Sequence, residues 1–541
     1  MLKTKGVNFT TKLNMKKYTL TLIFFAAASA CFAEDVPVYG YKDNTAGTRN
    51  NITGTTSTSD LILDSTYNSE TDVGGPMYRA PENMTVHSLR AIDTNQASGK
   101  GAVNLASYAS TTGLTVDVNA ASGTVSAIDV LSWKQNYTTT TIKNSYAGST
   151  AVATVNFGDS LTVNSSSSTQ AQTLVFDSIT ANVTATSTSV GISAQAGSTI
   201  KINSGATVNW SGSSTFGASG STRTSALTID GAYNLASSGS INMNFYSGAV
   251  LTVGSTGTLN INNNTISLNS GTTSTINGNL TTGAGSRLIL GGTMTLANYT
   301  KLYTLTLTGT LTQATAAAGA ANIGLEIHRT ATISSGASLT VDEKISLKGD
   351  VVTGVDHSVT TAKLIANAGS NIVINGNGTD KISRLILWGL TSVTLNKENA
   401  ITDQNGDSVR LVTAATSDDS VYTNLLYVNA NQTFSSMNIS SNISIYLDDA
   451  HTFSLDADGE TLSFSAGKTA TIYNFRDNAF YVGTDASNAA YLSNFVAYDA
   501  DSSLVTLSIT DGWLTAVPEP AEWAAILGAL ALGFAAYRRR R

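Results

Sequence analysis

The side chains that most often perform chemistry in proteins are few in this sequence. Among its 541 residues there are one cysteine, Cys31, and four histidines far apart along the chain: His87, His328, His357 and His451. None of them belongs to an HExxH or HxH motif, whose spacing brings two imidazoles to one metal ion. There is also no Gly-x-Ser-x-Gly elbow, Walker A loop or dinucleotide-binding fingerprint. We therefore predict no catalytic residue, no metal ligand and no cofactor, and we interpret each histidine as an isolated surface or core residue.

Two acidic segments are similar to fragments of calcium-binding loops. They are DQNGD at 403–407 and DADGE at 456–460. When each is aligned on its glycine, Ile401 and Ser454 stand where an EF-hand has its first acidic ligand, and neither segment has the bidentate glutamate at position 12. We interpret both segments as acidic β-turns.

A secretory signal peptide is predicted at residues 1–33, with Met15 as an alternative start. Two lysines follow Met15, an apolar run covers 20–30, and small residues precede a signal-peptidase site after Ala33. The alternatives are an uncleaved N-terminal helix and lipidation at Cys31, whose preceding residues form a poor lipobox. Cleavage after Ala33 leaves a mature chain without cysteine and hence without disulfides.

Residues 517–541 combine three features in order. Pro518, Glu519 and Pro520 come first, an uncharged run at 523–537 follows, and four arginines end the chain at 538–541. Because proline disfavours helix at the preceding residue, we expect the junction before the apolar run to be extended and accessible to a processing enzyme.

The apolar run predicts a single transmembrane helix. As a helix it would span about 22 Å, which is less than the hydrocarbon core of about 30 Å. Trp523 and Tyr537 at the two interfaces and snorkelling arginines would close this gap, and Gly528 and Gly533 are tolerated in membrane helices. Four residues form the predicted cytoplasmic stop-transfer signal: Arg538, Arg539, Arg540 and Arg541.

The centre of the chain repeats one short phrase. No proline occurs between Pro81 and Pro518, and a glycine followed by two small or polar residues and an apolar–polar–apolar triplet recurs, as in GDSLTV from Gly158 and GSTIKI from Gly197. Glycine allows a turn, and period-two alternation sends apolar residues to one face. Such strands bury that face when they stack coil on coil, about 4.8 Å apart.

This pattern predicts an all-β fold, an elongated parallel β-solenoid with β caps. Tandem antiparallel β-sandwich domains are the alternative, because Asn-Gly pairs, which favour hairpins, occur at 277–278, 375–376 and 405–406. Irregular motif spacing and the lack of a proline-containing linker favour the solenoid.

Composition divides the chain into five segments. After the signal peptide come a polar N-terminal cap at 34–144, solenoid repeats at 145–400, an aromatic-rich C-terminal β cap at 401–516 and the tail at 517–541. We interpret the aromatic residues of 401–516 as core, and a sugar-binding platform is the alternative.

Charge excludes nucleic acid as a partner. Only 12 % of the residues are charged, and the formal net charge is −7 although both ends of the chain are basic. A nucleic-acid interface needs lysines and arginines clustered on one face.

Residues 145–400 resemble the passenger regions of autotransporter-like and filamentous surface proteins, which carry degenerate glycine-plus-aliphatic repeats. The resemblance implies a right-handed β-helix displayed outside the cell.

The tail resembles the PEP-CTERM sorting signal of Gram-negative bacteria that make exopolysaccharide. The resemblance implies that Pro518, Glu519 and Pro520 are the recognition triplet of an exosortase-type sorting enzyme, and that the helix anchors the chain transiently in the inner membrane. Ala521-Glu522 stands where many members have Ser or Thr.

These expectations together favour an exported, non-enzymatic structural or adhesin-like protein of the cell surface or extracellular matrix, associated with biofilm or exopolysaccharide. One alternative is a polysaccharide lyase or hydrolase whose carboxylates and basic residues come from successive coils. The other is a carbohydrate-binding protein that uses 401–515.

Overall fold

The computed structural model describes most of the chain. The described residues are 34–35, 50–51, 59–64, 78–79, 84–98, 100–106, 113–135, 137–163, 171–190, 197–218, 224–313, 324–351, 359–376, 383–414, 424–456, 462–517 and 520–540. They fall into two compact units. The first contains Met1–Ala236, Gly248–Val250 and Thr256–Thr258, and the second contains Ser237–Ser247, Leu251–Ser255 and Leu259–Arg541.

The first unit is built from short strands. They are β1 (Glu34–Asp35), β2 (Asn50–Asn51), β3 (Ser59–Asp64), β4 (Tyr78–Arg79), β5 (Met84–Val86), β6 (Ser88–Ile92), β7 (Ala102–Ala106), β8 (Gly113–Asp117), β9 (Thr124–Asp129), β10 (Ser132–Gln135), β11 (Thr139–Lys143), β12 (Val152–Asn156), β13 (Ser160–Val163), β14 (Thr173–Asp177), β15 (Thr180–Thr184), β16 (Ser187–Val190), β17 (Thr199–Ile202), β18 (Thr207–Trp210), β19 (Ser213–Phe216), β20 (Ala226–Ile229) and β21 (Ala232–Leu235).

The remaining elements belong to the second unit, apart from the first residues of β23 and β24. They are β22 (Asn242–Phe245), β23 (Val250–Val253), β24 (Thr258–Asn262), β25 (Thr265–Leu268), β26 (Thr273–Ile276), β27 (Asn279–Thr282), β28 (Arg287–Leu290), β29 (Thr293–Leu296), β30 (Thr300–Leu302), β31 (Thr304–Leu307), β32 (Thr310–Gln313), β33 (Leu325–Ile327), β34 (Thr330–Ile333), β35 (Ser338–Asp342), β36 (Lys344–Lys348), β37 (Asp350–Val351), β38 (Val359–Thr360), β39 (Ala362–Ala366), β40 (Asn371–Asn375), β41 (Arg384–Trp388), β42 (Thr391–Leu395), β43 (Ile401–Thr402), β44 (Arg410–Ala414), β45 (Asn424–Val428), β46 (Gln432–Phe434), β47 (Ser436–Ile439), β48 (Ile443–Leu447), β49 (Phe453–Leu455), β50 (Leu462–Phe464), β51 (Ala470–Tyr473), β52 (Phe480–Tyr481), a 3₁₀ helix (Ala486–Asn494), β53 (Phe495–Tyr498), β54 (Leu504–Val505), β55 (Leu507–Thr510), β56 (Trp513–Ala516) and α1 (Pro520–Arg539).

In the first unit the strands β3 to β18 pair in parallel with the strand three places later, whereas β1 pairs with β3 and β2 with β4. One sheet runs β5-β8-β11-β14-β17-β20, a second runs β6-β9-β12-β15-β18-β21, and a third runs β7-β10-β13-β16-β19. The chain therefore visits three sheets in turn and returns to the first one coil later. This is the connectivity of a parallel β-solenoid.

The second unit repeats this connectivity. Its longest parallel sheet runs β22-β25-β28-β31-β34-β39-β42-β45-β48-β51-β53. Two others run β26-β29-β32-β35-β40-β43 and β30-β33-β36-β41-β44-β47-β50. Among the described strands, antiparallel pairing is limited to β37 with β38 and to strands that include β54, β55 or β56.

The prediction of an all-β fold with stacked parallel strands is thus confirmed, and the antiparallel sandwich alternative is wrong. At Asn277-Gly278 the chain passes from β26 to β27, but β26 pairs with β29 instead of forming a hairpin. At 405–406 an antiparallel bridge between Thr402 and Ser408 does close a local turn.

Glycines of the repeated phrase act in two ways. Gly205 has a φ of 82°, a left-handed conformation that costs glycine little. Gly197 instead allows a close approach, because a Cβ there would lie 1.5 Å from the backbone oxygen of Thr224.

Strict alternation fills the interior of the coils. In β17 the side chains of Ile200 and Ile202 are fully buried, while Lys201 between them lies on the outward side. Ile200 stands in register with Leu174 of the preceding coil and Leu227 of the following coil. Aliphatic residues therefore stack along the inside of the sheet, where each contributes about 1.5–3 kcal/mol by burial.

This stack predicts the effect of truncating one of its members. Ile200→Ala should lower the free energy of unfolding by about 2–5 kcal/mol, because the coils above and below cannot collapse fully into the space left. Urea unfolding of the full chain followed by circular dichroism measures the change. Lys201→Ala, on the outward side of the same strand, should stay within about 0.5 kcal/mol of wild type. Equal losses in the two variants would contradict the inward stack.

Candidate functional site

Three successive coils of the second unit bring several chemically active side chains together. Lys301 of β30, Glu326 of β33 and Ser346 of β36 are register partners in one parallel sheet. Leu325 and Ile327 flank Glu326 and are buried. Alternation turns the Glu326 side chain to the face opposite these two apolar residues.

Glu326 is the centre of the cluster. Its Oε2 accepts a short hydrogen bond from the hydroxyl of Tyr299, and its Oε1 lies 2.5 Å from Nε2 of His328. The ammonium of Lys301 lies 3.7 Å from the same Oε1. The imidazole of His328 stacks on Tyr303, with ring centroids 5.0 Å apart. Glu326 and His328 are both buried, and Lys301 is exposed.

The surroundings of Glu326 favour its ionised form. Burial raises the pKa of this carboxyl, but hydrogen bonds from His328 and Tyr299 and the positive charges of His328 and Lys348 outweigh burial and lower the pKa to about 2. The pKa of Tyr299 is raised well above its usual range, by burial first and then by the bonded Glu326 carboxylate. The cluster therefore holds a carboxylate and a protonated phenol side by side.

This arrangement has the elements of acid–base chemistry. An imidazole held by a carboxylate is fixed in orientation. The phenol of Tyr299 keeps its proton, and Lys301 adds a positive charge at the exposed side. Hydrolysis of a glycosidic bond usually needs two carboxyl groups, whereas the interactions described here involve only Glu326.

The expectation that His328 is an isolated histidine is wrong. It directly follows β33, two residues after Glu326, and the two side chains are in contact. Tyr299 and Lys301 lie a full coil earlier in the chain. Their proximity to Glu326 becomes known only from the pairing register of the strands. His87 and His451 lie elsewhere, and the ring of His451 is 3.3 Å from the Asp448 carboxylate.

The acidic segment at 403–407 forms a hydrogen-bonded turn. Oδ1 of Asp403 accepts from the backbone N–H of Asn405 at 2.7 Å and from that of Asp407 at 2.8 Å. This carboxylate is thus engaged with its own loop, as expected of an acidic turn. Of the second segment only Asp456 is described, and it accepts from Ser408 at 3.0 Å. In the described part of the chain, no group of three or more His, Cys, Asp or Glu side chains is placed to hold a metal ion.

Three residues of the predicted sorting tail lie outside the described residues: Pro518, Glu519 and Arg541. The predicted cleavage residue Ala33 and the histidine His357 also lie outside them. The part that is described forms α1, which starts at Pro520, contains Trp523, Gly528, Gly533 and Tyr537, and has Arg538 and Arg539 in its last turn, followed by Arg540.

The prediction of a transmembrane helix at 523–537 is not met. None of the helices in the described residues has the length and apolar character that crossing a membrane requires.

The aromatic residues of 401–516 separate into an inner and an outer set. Phe434, Phe453 and Phe480 are buried, with successive ring centroids 5.4 and 4.6 Å apart, which confirms their assignment to the core. An outer set of four half-buried tyrosines stacks on the opposite face, and there the core interpretation is wrong: Tyr427, Tyr446, Tyr473 and Tyr498.

Comparison with known proteins gives no relative: no family, no curated protein and no solved structure matches this chain.

The lowered pKa of Glu326 predicts a pH-dependent stability. Because the folded state keeps this carboxylate ionised more readily than the unfolded chain does, its stabilising effect is present above about pH 4.5 and is lost as the pH falls towards 2. Urea midpoints of wild type and Glu326→Gln should therefore converge over this range. Glu398→Gln, at an exposed carboxyl, serves as the control. A constant difference between wild type and Glu326→Gln from pH 7 to pH 2 would refute the expectation.

Proposed function

We propose that this chain is an exported, non-enzymatic structural or adhesin-like protein of the cell surface or extracellular matrix of a Gram-negative bacterium, associated with biofilm or exopolysaccharide. The observation that carries the proposal is the stacking of identical neutral side chains on the outward side of the coils. Asn209 donates to Asn182 at 2.8 Å, and Asn234 donates to Asn209 at 3.0 Å. These residues are register partners on β15, β18 and β21.

Such ladders suit a structural protein for a physical reason. Neutral amides and hydroxyls can stand directly opposite one another without the repulsion of like charges. Each amide also bonds to the coil before it, so that the outer face is tied together as well as the inner one. A stable surface with repeated polar groups supports display and contact better than it supports a single reaction.

We further propose that the coils form a right-handed β-helix. A connection that leads from one strand to a parallel strand of the same sheet is right-handed in the great majority of proteins. Strand pairing three places apart provides many connections of this kind in each unit.

The tail supports export and sorting. Its proline–glutamate–proline triplet, apolar segment and terminal arginines occur in the order of the PEP-CTERM signal. In this proposal signal peptidase removes the N-terminal segment after Ala33, and an exosortase-type enzyme recognises Pro518, Glu519 and Pro520.

The sorting proposal predicts that the triplet is needed for display. Replacing Pro518, Glu519 and Pro520 together by alanine should reduce the surface-exposed fraction of the protein at least as strongly as deletion of 517–541. Fractionation and protease accessibility of whole cells measure this fraction. Glu522→Ala, close to the triplet, should leave display unchanged. Normal display of the tail-less chain would end the sorting proposal.

A second candidate function is favoured by the cluster around Glu326. His328, oriented by Glu326, would take the proton next to the carboxylate of a uronate polysaccharide, and Lys301 would neutralise that carboxylate. The carbon–oxygen bond to the next sugar would break with formation of a carbon–carbon double bond, and the departing oxygen would receive the proton that His328 had taken. This β-elimination needs no second carboxyl group, in contrast to hydrolysis.

The second candidate predicts an ultraviolet-absorbing unsaturated product from a uronate polymer such as alginate or polygalacturonate. Wild type should form it, whereas Glu326→Gln and His328→Ala should lose at least about 100-fold in rate. Glu343→Gln is the matched control, because its ion pair with Arg384 lies outside the cluster. Inactivity of the folded wild-type chain on every uronate polymer tested would reject this candidate and leave the structural proposal in place.

A further inference from the structure

Four tyrosines form a continuous stack on the outside of the second unit. This tyrosine ladder consists of Tyr427, Tyr446, Tyr473 and Tyr498, one from each of β45, β48, β51 and β53. Successive ring centroids lie 4.9, 4.6 and 5.5 Å apart, and the ring planes are within 15° of parallel. Because the faces cover one another, the rings present mainly their edges and hydroxyls to solvent.

The phenol groups of the ladder are free to bind a ligand. All four side chains are half-buried, and in the described part of the chain no residue forms a hydrogen bond with their hydroxyls. The pKa of Tyr446 is raised, by burial first and then by Tyr473 and Tyr427 on either side. A phenol of this kind stays protonated and can donate a hydrogen bond at physiological pH.

A row of amides begins at one end of the ladder. Asn429 is two residues after Tyr427, on the same face of the chain, and its amide donates to Oδ1 of Asn396 at 2.8 Å. Asn396 in turn donates to Asn367 at 3.5 Å. This amide row follows the ends of β45, β42 and β39, so it continues from the Tyr427 end of the ladder along the same sheet.

We propose that the tyrosine ladder binds an extended, neutral, β-linked polysaccharide that lies along the stack. A linear glycan offers hydroxyls that both donate and accept, and each sugar of an extended chain advances by a distance close to that between coils. A single sugar could contact only one or two of the phenols, whereas a polymer can contact all four. The weak contacts along the polymer then add up to a higher affinity.

Charge and backbone geometry favour this ligand over others. At this surface a polyanion is disfavoured by nearby carboxylates, since Asp448 is two residues after Tyr446 and Asp499 follows Tyr498. A peptide strand would need the free edge of a sheet, whereas Tyr446 lies on a strand paired on both sides. The inference rests on the proposed surface function and names the partner of that surface.

Native affinity electrophoresis of the full chain tests the proposal. Gels containing hydroxyethyl cellulose, a soluble β-linked glucan, should retard the wild-type protein, and gels containing alginate should retard it less. The double variant Tyr446→Phe with Tyr473→Phe keeps the ring stack but removes two hydroxyls. Its dissociation constant should rise about tenfold, given the usual contribution of a hydrogen bond.

The control variant is Tyr146→Phe, which removes an exposed phenol outside the ladder and should bind as wild type does. Equal circular dichroism spectra show that the variants are folded. Two results would overturn the inference: no retardation of wild type by hydroxyethyl cellulose, or unchanged retardation of the double variant. Either result leaves the sorting proposal untouched, because surface display is measured separately, and a chain that binds glucan but is not displayed would reject only the sorting proposal.

Discussion

The parallel backbone ladder between successive coils is the constraint on which the other features of both units depend. Within the long parallel sheets an inner strand pairs with a strand one coil earlier and one coil later, so its backbone groups are satisfied on both sides. The register of this ladder decides which side chains stand above one another. A slip of one residue in a strand would exchange its inner and outer faces and bring Lys201 inside in place of Ile200.

Stacking in register restricts the side chains that each position accepts. Inside the coils aliphatic residues repeat, as in Leu174, Ile200 and Leu227, because their shapes pack on one another without polar atoms. Outside the coils neutral amides bond to their equivalents. A buried carboxylate in such a sheet is costly unless it is compensated, and Glu326 is compensated by Tyr299, His328 and Lys301. The chemically distinctive cluster is thus also one of the places where the sheets bury a carboxylate.

The sequence was sufficient to predict the stacked parallel strands but not the cluster. Alternation in segments such as TIKI at 199–202 identifies inward residues directly, since the period of a strand is two. The partners of Glu326 come from another coil, and coils of unequal length hide the distance between Tyr299 and Glu326 from any fixed period. The sequence also did not show which aromatic residues are buried. Tyr427 and Phe434 are both aromatic, but Tyr427 is half-buried on the outside and Phe434 is buried in the core. A face is fixed only when the start of each strand is known.

The outer side chains stay aligned although the coils differ in length. The ladder tyrosines are separated by chain segments of different length, yet they remain register partners or direct neighbours in one sheet. The length differences must therefore be absorbed at the corners between strands. At the corners the backbone is not part of the strand pairing. Glycines and Asx turns such as that of Asp403 accommodate the change in chain direction there. The paired strands keep the side chains in register, and the corners contain the differences in coil length. A binding surface built along one sheet can consequently stay regular while the rest of each coil differs.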